Sequence, residues 1–341
     1  MIRTGLIGFG LGGTAFHAPL IEAVDGLTLA AVATSRAEAV RAAYPHAAVS
    51  TAQAVIADPA IDLVVISTPN ATHYQLGRQA LEAGKHVVID KPFAGSVAEA
   101  EALAALAQAK GLLAIPFHNR RWDSDFQTAR ALIENGRLGD VLLFEAHWDR
   151  FRPERSQPWK ESVEAGAGQL ADLGPHLIDQ ALLLFGEPQA VSGDVAVQRD
   201  GSEVDDYFTV TLFHGARRVV LASSRMIAAP RPRFSIHGRG GSFVKYGLDP
   251  QEAAMRAGGS LADSGHGVED PAIHGVLTLP DGTRETVASE RGAYRRFYEG
   301  VVAAIADGAA PPVAAGDAIL GLRVIELARR SAAEGKRLAF G

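Results

Sequence analysis

The residues that most restrict this chain lie at its start: Met1-Ile-Arg-Thr-Gly-Leu-Ile-Gly-Phe-Gly-Leu-Gly-Gly-Thr14, followed by an amphipathic stretch to Val24. A short apolar strand that runs into Gly8, Gly10 and Gly13 and then into a helix has the pattern of a dinucleotide-binding turn. Each glycine has a mechanical reason. Gly8 permits the tight turn, Gly10 lets backbone approach a pyrophosphate, and Gly13 lets helix and strand pack closely. The spacing predicts a helix from Thr14 to Val24, whose N-terminus turns free N–H groups and partial positive charge toward the phosphates. Phe9 and Thr14 belong to the same turn and are expected at the cofactor.

Leu27 to Ala33 reads as a second buried strand, followed by Thr34-Ser35-Arg36 and a helix through Ala43. Strands alternating with helices imply a doubly wound parallel sheet, an α/β fold of the Rossmann type. An acid at the end of the second strand would bond the ribose hydroxyls of NAD, whereas an arginine accommodates the extra phosphate of NADP. No acid occurs here until Glu38. Ser35 and Arg36 suit a phosphate dianion, so NADP is the expected cofactor. NAD is the alternative if Arg36 is only a solvated residue at a helix start.

A third strand, Ile61 to Ser67, leads into Thr68-Pro69-Asn70-Ala-Thr-His73. Ligands of open parallel sheets sit beyond the carboxyl ends of the strands, which puts Thr68, Pro69, Asn70 and His73 along the cofactor crevice. Asn70 and His73 read equally well as helix caps. The strand His86 to Asp90 ends in Lys91-Pro92. That placement aims an ammonium into the crevice, and Pro92 keeps Lys91 out of helical geometry. A helix from Ser96 to Lys110 and a strand from Leu112 to Phe117 complete a first domain, residues 1–119.

From 120 to 341 the texture changes to longer strands: Val141 to Arg150, Ala190 to Gln198, Tyr207 to Phe213, Arg218 to Met226, Arg233 to His237 and Phe243 to Tyr246. Successive strands imply an α+β domain with a large open antiparallel sheet. A turn at Pro280-Asp-Gly-Thr283 joins Val276 to Leu279 with Arg284 to Val287. Residues 252–275, rich in Gly, Ala and Asp, read as a mobile excursion, and Asp317 to Glu334 as a closing amphipathic helix.

Asp172 and His176 precede an apolar helix from Leu177 to Phe185. Pro175 suits the first helical position, which would put His176 in the first turn. There the helix dipole and the Lys91 ammonium disfavour the imidazolium, while Asp172 favours it. A neutral ring could take a proton from a substrate hydroxyl. On residues alone, the alternative is that Asp172 caps the helix and His176 is a hydrogen-bonded core residue. A metal site is a weaker reading, since no His-x-x-x-His or cysteine ligand set occurs. His118, Asn119, Arg121, Trp122 and Asp123 fall at the domain crossing, and their donors and acceptors suit a polyhydroxylated ring. Arg150, Arg152, Arg155 and Trp159 could add to the rim or be a solvated loop.

Composition limits the partners. The 341 residues are 47% hydrophobic and 21% charged, as in a two-domain globular protein. A net charge of -6, with Arg217-Arg218, Arg295-Arg296 and Arg329-Arg330 scattered, argues against nucleic acid. The chain has no cysteine, so disulfides, thiolate catalysis and Cys-ligated zinc are excluded, and a reducing cytoplasm is expected. No apolar run approaches the ~20 residues of a membrane span, and no secretory signal is expected.

Gly8-Phe9-Gly10, Asp90-Lys91-Pro92 and Asp172-Leu-Gly-Pro-His176, taken in order, resemble the Gfo/Idh/MocA oxidoreductase family. Within it, His118-Asn-Arg-Arg-Trp-Asp123, Arg150-Phe-Arg-Pro153, Gly168 to Asp179 and Phe243-Val-Lys-Tyr-Gly247 resemble the NADP-dependent scyllo-inositol dehydrogenases. The family usually writes Glu-Lys-Pro, and Asp90 departs from it with a shorter carboxylate. The resemblance implies a catalytic set of Lys91, Asp172 and His176 and a small polyol or sugar substrate. It also implies a homo-oligomer, dimer or tetramer, formed through the exposed face of the C-terminal sheet. Two other functions stay open, an aldose 1-dehydrogenase and a non-catalytic NADP-binding sensor.

Overall fold

Uninterrupted apolar segments such as Leu63-Val-Val-Ile66 and Val87-Val-Ile89 fit strands buried on both faces, the condition met in a parallel sheet flanked by helices. The computed structural model, which describes residues 1–154, 168–229 and 231–341, places them at the centre of such a sheet. Its strands and helices are β1 (Ile2–Ile7), α1 (Ala18–Glu22), β2 (Leu27–Ala33), α2 (Ala37–Ala43), β3 (Ala48–Ser50), α3 (Ala52–Ala57), β4 (Leu63–Ile66), α4 (His73–Glu82), β5 (His86–Ile89), α5 (Val97–Ala109) and β6 (Ala114–Pro116). The six strands lie in the order β3-β2-β1-β4-β5-β6 and all pair in parallel. The strand order reverses between β1 and β4, where a doubly wound sheet opens its ligand crevice. Ser96 caps α5, its hydroxyl accepting from the Glu99 N–H at 3.2 Å.

The helix after the glycine turn begins at residue 11 rather than at Thr14, and Gly13–His17 is a π-helical segment within it. The Ala18 N–H reaches back to the Gly13 carbonyl, a five-residue step. Pro19 has no N–H to offer the Ala15 carbonyl, which interrupts the regular ladder at this point.

By its contacts the chain divides into two units, and the expected single boundary after 119 is one of several crossings. Met1–Asn119 is joined by Gln251–His266 and Ala293–Ile319; the second unit is Arg120–Pro250, Gly267–Gly292 and Leu320–Gly341. The returning segments carry apolar faces that complete the first core. The helix Arg295–Ala306, absent from the sequence reading, buries Phe297, Tyr298 and Val301, and Phe297 meets Phe117 edge-on at 4.8 Å between ring centroids. The expected excursion at 252–275 is likewise structured in part. The helix Gln251–Arg256 buries Gln251, whose amide oxygen accepts from the Tyr294 N–H at 2.8 Å.

In the second unit, α6 (Ser124–Glu134), β7 (Val141–His147), α7 (Gln169–Phe185), β8 (Ala190–Ala196), β9 (Tyr207–His214), β10 (Arg217–Ser224), β11 (Phe234–Gly238), β12 (Gly241–Lys245), α8 (Gln251–Arg256, of the first unit), β13 (Gly275–Thr278), β14 (Arg284–Val287), α9 (Arg295–Ala306, also of the first), α10 (Ala315–Glu334) and β15 (Leu338–Ala339) follow in chain order. The sheet of the described residues has nine strands, ordered β14-β13-β12-β11-β7-β10-β9-β8-β15. It is mixed rather than wholly antiparallel, because β7 and β10 run parallel, Leu143 opposite Arg218 through His147 opposite Ala222. A parallel pair needs a long crossover, and the α7-β8-β9 segment provides it. Phe126 and Leu132 of α6, Leu173 and Leu177 of α7, and Val324 and Ala328 of α10 share one core with Phe144, Phe208, Val210, Leu221, Phe234 and Phe243 of the sheet. Along β9 the alternate residues Thr209, Thr211 and Phe213 are only half-buried, so the opposite face of the sheet is open.

Candidate active site

At the glycine turn the steric demands are met at different positions for different reasons. Gly8 has φ +102°, and a Cβ there would fall on the Ser67 carbonyl oxygen. A Cβ on Gly13 would fall on the Gly8 carbonyl, and one on Gly12, which the motif reading passed over, would strike Ser67 Oγ and Asp90 Oδ2. A Cβ on Gly10 meets nothing within 4 Å, so that backbone faces open space. Thr14 turns its hydroxyl to the Gly10 carbonyl at 2.7 Å. The Phe9 ring is buried and sits edge-on to Tyr44, leaving its backbone rather than its ring at the turn. Arg36 Nη1 lies 3.5 Å from the Phe9 carbonyl oxygen, and the Arg36 N–H donates to Thr34 Oγ1 at 3.0 Å. Ser35 and Arg36 are both exposed beside the turn.

At the ends of β4 and β5, Asn70 is half-buried and Pro69 exposed, and the Thr68 and Thr72 hydroxyls share a 2.7 Å hydrogen bond. His73 is a correction to the expected cofactor contacts. Its ring is fully buried, with Nδ1 2.7 Å from the Pro92 carbonyl and Nε2 2.9 Å from the Thr68 carbonyl. It fastens one loop to the other instead of presenting a donor to a ligand. Asp90 accepts from Ser67 Oγ at 3.1 Å and from the Lys91 N–H at 2.8 Å, and His17 Nε2 lies 3.6 Å from its Oδ2. Burial raises its pKa, but the hydrogen bond and charge of His17, with the charges of His73 and Lys91, prevail and bring it down to about 2. The Lys91-Pro92 peptide is cis.

In the second unit, α7 starts at Gln169, so Pro175 is its seventh residue and His176 stands well past the first turn. The expectation that a helix N-terminus disfavours the His176 imidazolium therefore falls, since that field acts within the terminal turn. The helix start is tied down by Asp205, whose backbone carbonyl accepts from the Gln169 N–H and whose carboxylate accepts from the Leu170 N–H, both at 2.7 Å. Asp172 and His176 are one turn apart on one face of α7. His176 is buried, its ring centroid 6.1 Å from that of Trp148. Trp148 is flanked by the guanidinium groups of Arg120 at 4.9 Å and Arg233 at 5.1 Å.

Arg121 is buried and bound twice to Asp179 of α7, Nε to Oδ2 at 2.9 Å and Nη2 to Oδ1 at 2.6 Å. Those two donors hold α7, so any contact of Arg121 with a substrate would be made by its remaining N–H groups. Asp123 is buried with Arg120 Nη1 3.5 Å away. Trp122 is half-buried, and His118 and Asn119 are buried in the first unit. Arg150 and Arg152 continue the pairing beyond β7 through their backbone N–H groups, which donate to the Ser224 carbonyl at 2.9 Å and the Arg225 carbonyl at 2.7 Å. Arg155 and Trp159 lie outside the described residues. Asp179 was within reach of the sequence: 172, 176 and 179 form a helical i, i+4, i+7 series once the helix is begun at 169.

The turn fits a dinucleotide. Gly10 opens on space, the other glycines close the packing behind it, and a guanidinium stands beside the turn. The comparisons agree with that fit. Residues 2–118 match the family model described as "Oxidoreductase family, NAD-binding Rossmann fold", and residues 130–340 match "Oxidoreductase family, C-terminal alpha/beta domain". The fold and the turn thus define an oxidoreductase with an NAD(P)-binding Rossmann domain. The chain belongs to the Gfo/Idh/MocA family.

It is 40% identical over 341 residues to scyllo-inositol 2-dehydrogenase (NADP(+)) IolW of Bacillus subtilis, covering 99% of this chain and 95% of that one. Among solved structures it resembles the yvaA protein of Bacillus subtilis (TM-score 0.97, 40% identity, 99% and 98% coverage). It also resembles the YPO2259 protein of Yersinia pestis (TM-score 0.95, 44% identity, 99% and 97% coverage). Among the described residues no helix is long and apolar enough to cross a membrane, and no group of three or more His, Asp or Glu is placed to hold a metal ion.

Proposed function

We infer that the protein is an NADP-dependent dehydrogenase that oxidises a secondary alcohol of a cyclic polyol, scyllo-inositol or a near relative, working in the cytoplasm. The observation that carries the reading is the placement of Asp172 and His176 one turn apart on one face of α7, with Lys91 following the end of β5. His176 receives the hydroxyl proton on a ring nitrogen. Asp172 orients that ring or accepts from a neighbouring hydroxyl, and the Lys91 ammonium donates to the reacting oxygen. The bound cofactor supplies the acceptor for the carbon-borne hydrogen and its electron pair. Gly8, Gly10, Gly13, Thr14, Thr68, Asn70 and Asp90 would surround it, with Ser35 and Arg36 at the ribose phosphate. The name of the 40% identical relative supports both the substrate and NADP. The open sheet face is proposed to mate with a second copy, which light scattering on the purified protein checks.

The test is a panel of polyols and aldoses assayed for reduction of NADP+ and NAD+, with His176→Ala alongside. Turnover of scyllo-inositol that falls by about two to four orders of magnitude in the variant, while NADPH binding persists, supports the reading. Turnover of aldoses alone would move the substrate. Tight NADPH binding with no turnover of any member would make the protein a sensor.

A further inference from the structure

His17 is fully buried, sits in the π-helical segment after the glycine turn, and has no place in the chemistry above. Its Nδ1 is 2.7 Å from the hydroxyl of Tyr298, which is itself fully buried in α9. Its Nε2 faces Asp90 Oδ2 at 3.6 Å. A carboxylate only accepts, so a ring proton on the side of Asp90 is carried by Nε2, while Nδ1 and the tyrosine hydroxyl share one hydrogen bond. Burial, and then the charge of Asp90, push the Tyr298 phenol well above its ordinary pKa, so it keeps its proton. Tyr298, His17 and Asp90 thus stand in one file, with the Tyr298 hydroxyl against His17 Nδ1 and His17 Nε2 across from Asp90 Oδ2. Ser67 Oγ and the Lys91 N–H point at the same carboxylate. The groups facing Asp90 are thus His17, Ser67, Lys91 and, by charge, His73 and Tyr298.

We propose that Tyr298 and His17 are positioning residues for Lys91, acting through Asp90: they hold its carboxylate in place, and that carboxylate fixes the backbone and charge environment from which Lys91 extends. The proposal rests on the assignment of Lys91 to the reacting oxygen.

Three variants separate the roles. Tyr298→Phe removes only the hydroxyl, His17→Leu removes both ring nitrogens, and His17→Gln keeps an N–H near the Nε2 position. Two readouts apply to each: steady-state kinetics with scyllo-inositol and NADP+, and the pH dependence of acetic anhydride labelling of the Lys91 amine in the cofactor-free protein, read by mass spectrometry. The expected result is a kcat about tenfold lower in Tyr298→Phe and lower still in His17→Leu. KM for NADP+ should stay within about twofold, and Lys91 should label at lower pH in both variants; His17→Gln should restore both readouts to within about threefold of the wild type. Lys91 labelling that is unchanged in Tyr298→Phe, which removes one oxygen atom and preserves packing, overturns the proposal. So does a His17→Gln variant as impaired as His17→Leu. A wild-type protein that does not oxidise the polyol sinks the proposed function, and the labelling experiment then decides this inference alone.

Discussion

Asp90 Oδ2 is 3.6 Å from His17 Nε2 and 3.1 Å from Ser67 Oγ, so one carboxylate joins the helix of the glycine turn to the loops after β4 and β5. The ends of three central elements are held by a single side chain whose pKa is depressed to about 2. Its charge therefore belongs to the folded state.

The first prediction follows from that charge. A carboxyl whose folded pKa lies below its unfolded value contributes stability above the unfolded pKa and loses it as pH falls through the folded one. With an ordinary value of 3.8 and a folded value of about 2, the contribution is about 2 kcal/mol at neutral pH and disappears between about pH 4 and pH 2. Urea unfolding of the wild type and Asp90→Asn as a function of pH should give curves that differ most at neutral pH and converge in acid. Parallel curves would dissociate the carboxylate from the stability.

A second prediction separates two glycines. Gly10→Ala places a methyl group in open space, so thermal stability should hold while NADPH affinity falls at least about tenfold, because the methyl intrudes where the pyrophosphate must approach. Gly8→Ala should lower both, since φ +102° is strained for alanine and the Cβ strikes backbone. Calorimetry and NADPH fluorescence titration distinguish the two patterns.

Third, Arg36→Ala should weaken NADPH about 10- to 100-fold and leave NADH nearly unchanged, the range set by losing charge-assisted hydrogen bonds to a phosphate, ~1.5–3 kcal/mol. Equal losses for both cofactors would move the phosphate site elsewhere.

Fourth, Lys245 and Glu269 form a buried ion pair, Nζ to Oε2 at 2.8 Å, both side chains 0% exposed. Ser124 Oγ donates to Glu269 Oε1 at 2.6 Å, and Lys245 also donates to the Ile273 carbonyl at 2.9 Å. Glu269→Gln should destabilise by about 3–5 kcal/mol, because the buried Lys245 ammonium loses its 2.8 Å ion-pair partner. The double change Lys245→Met/Glu269→Gln should recover part of that loss in a denaturation cycle.

How much of this was legible in the chain depends on whether a signal was local. The parallel sheet followed from the apolar runs and the glycine turn, both contained in short windows. Ala48–Ser50 was missed because three half-exposed residues carry no periodicity, and Arg295–Ala306 because its partners are Phe117 and His17, far away in the chain. Pro175 was misleading: proline is at home in a first turn, but α7 starts six residues earlier, where Asp205 binds the first N–H groups. Arg121 looked like a ligand group because nothing in its neighbourhood announced Asp179. The acid stands 58 positions on, and the tertiary fold brings them together, with the neighbouring Arg120 carbonyl also bound to Gln180 of α7.

Tyr298 meets His17 across 281 positions of chain, and this has a consequence for synthesis. When residue 119 leaves the ribosome, the nucleotide half has all its strands but lacks the helix that covers His17 and Phe117. At ~5–20 residues per second that covering arrives about 10 to 40 seconds later. Until then the apolar flank around Phe117 stands open, a period of exposed hydrophobic surface that ends as α9 emerges.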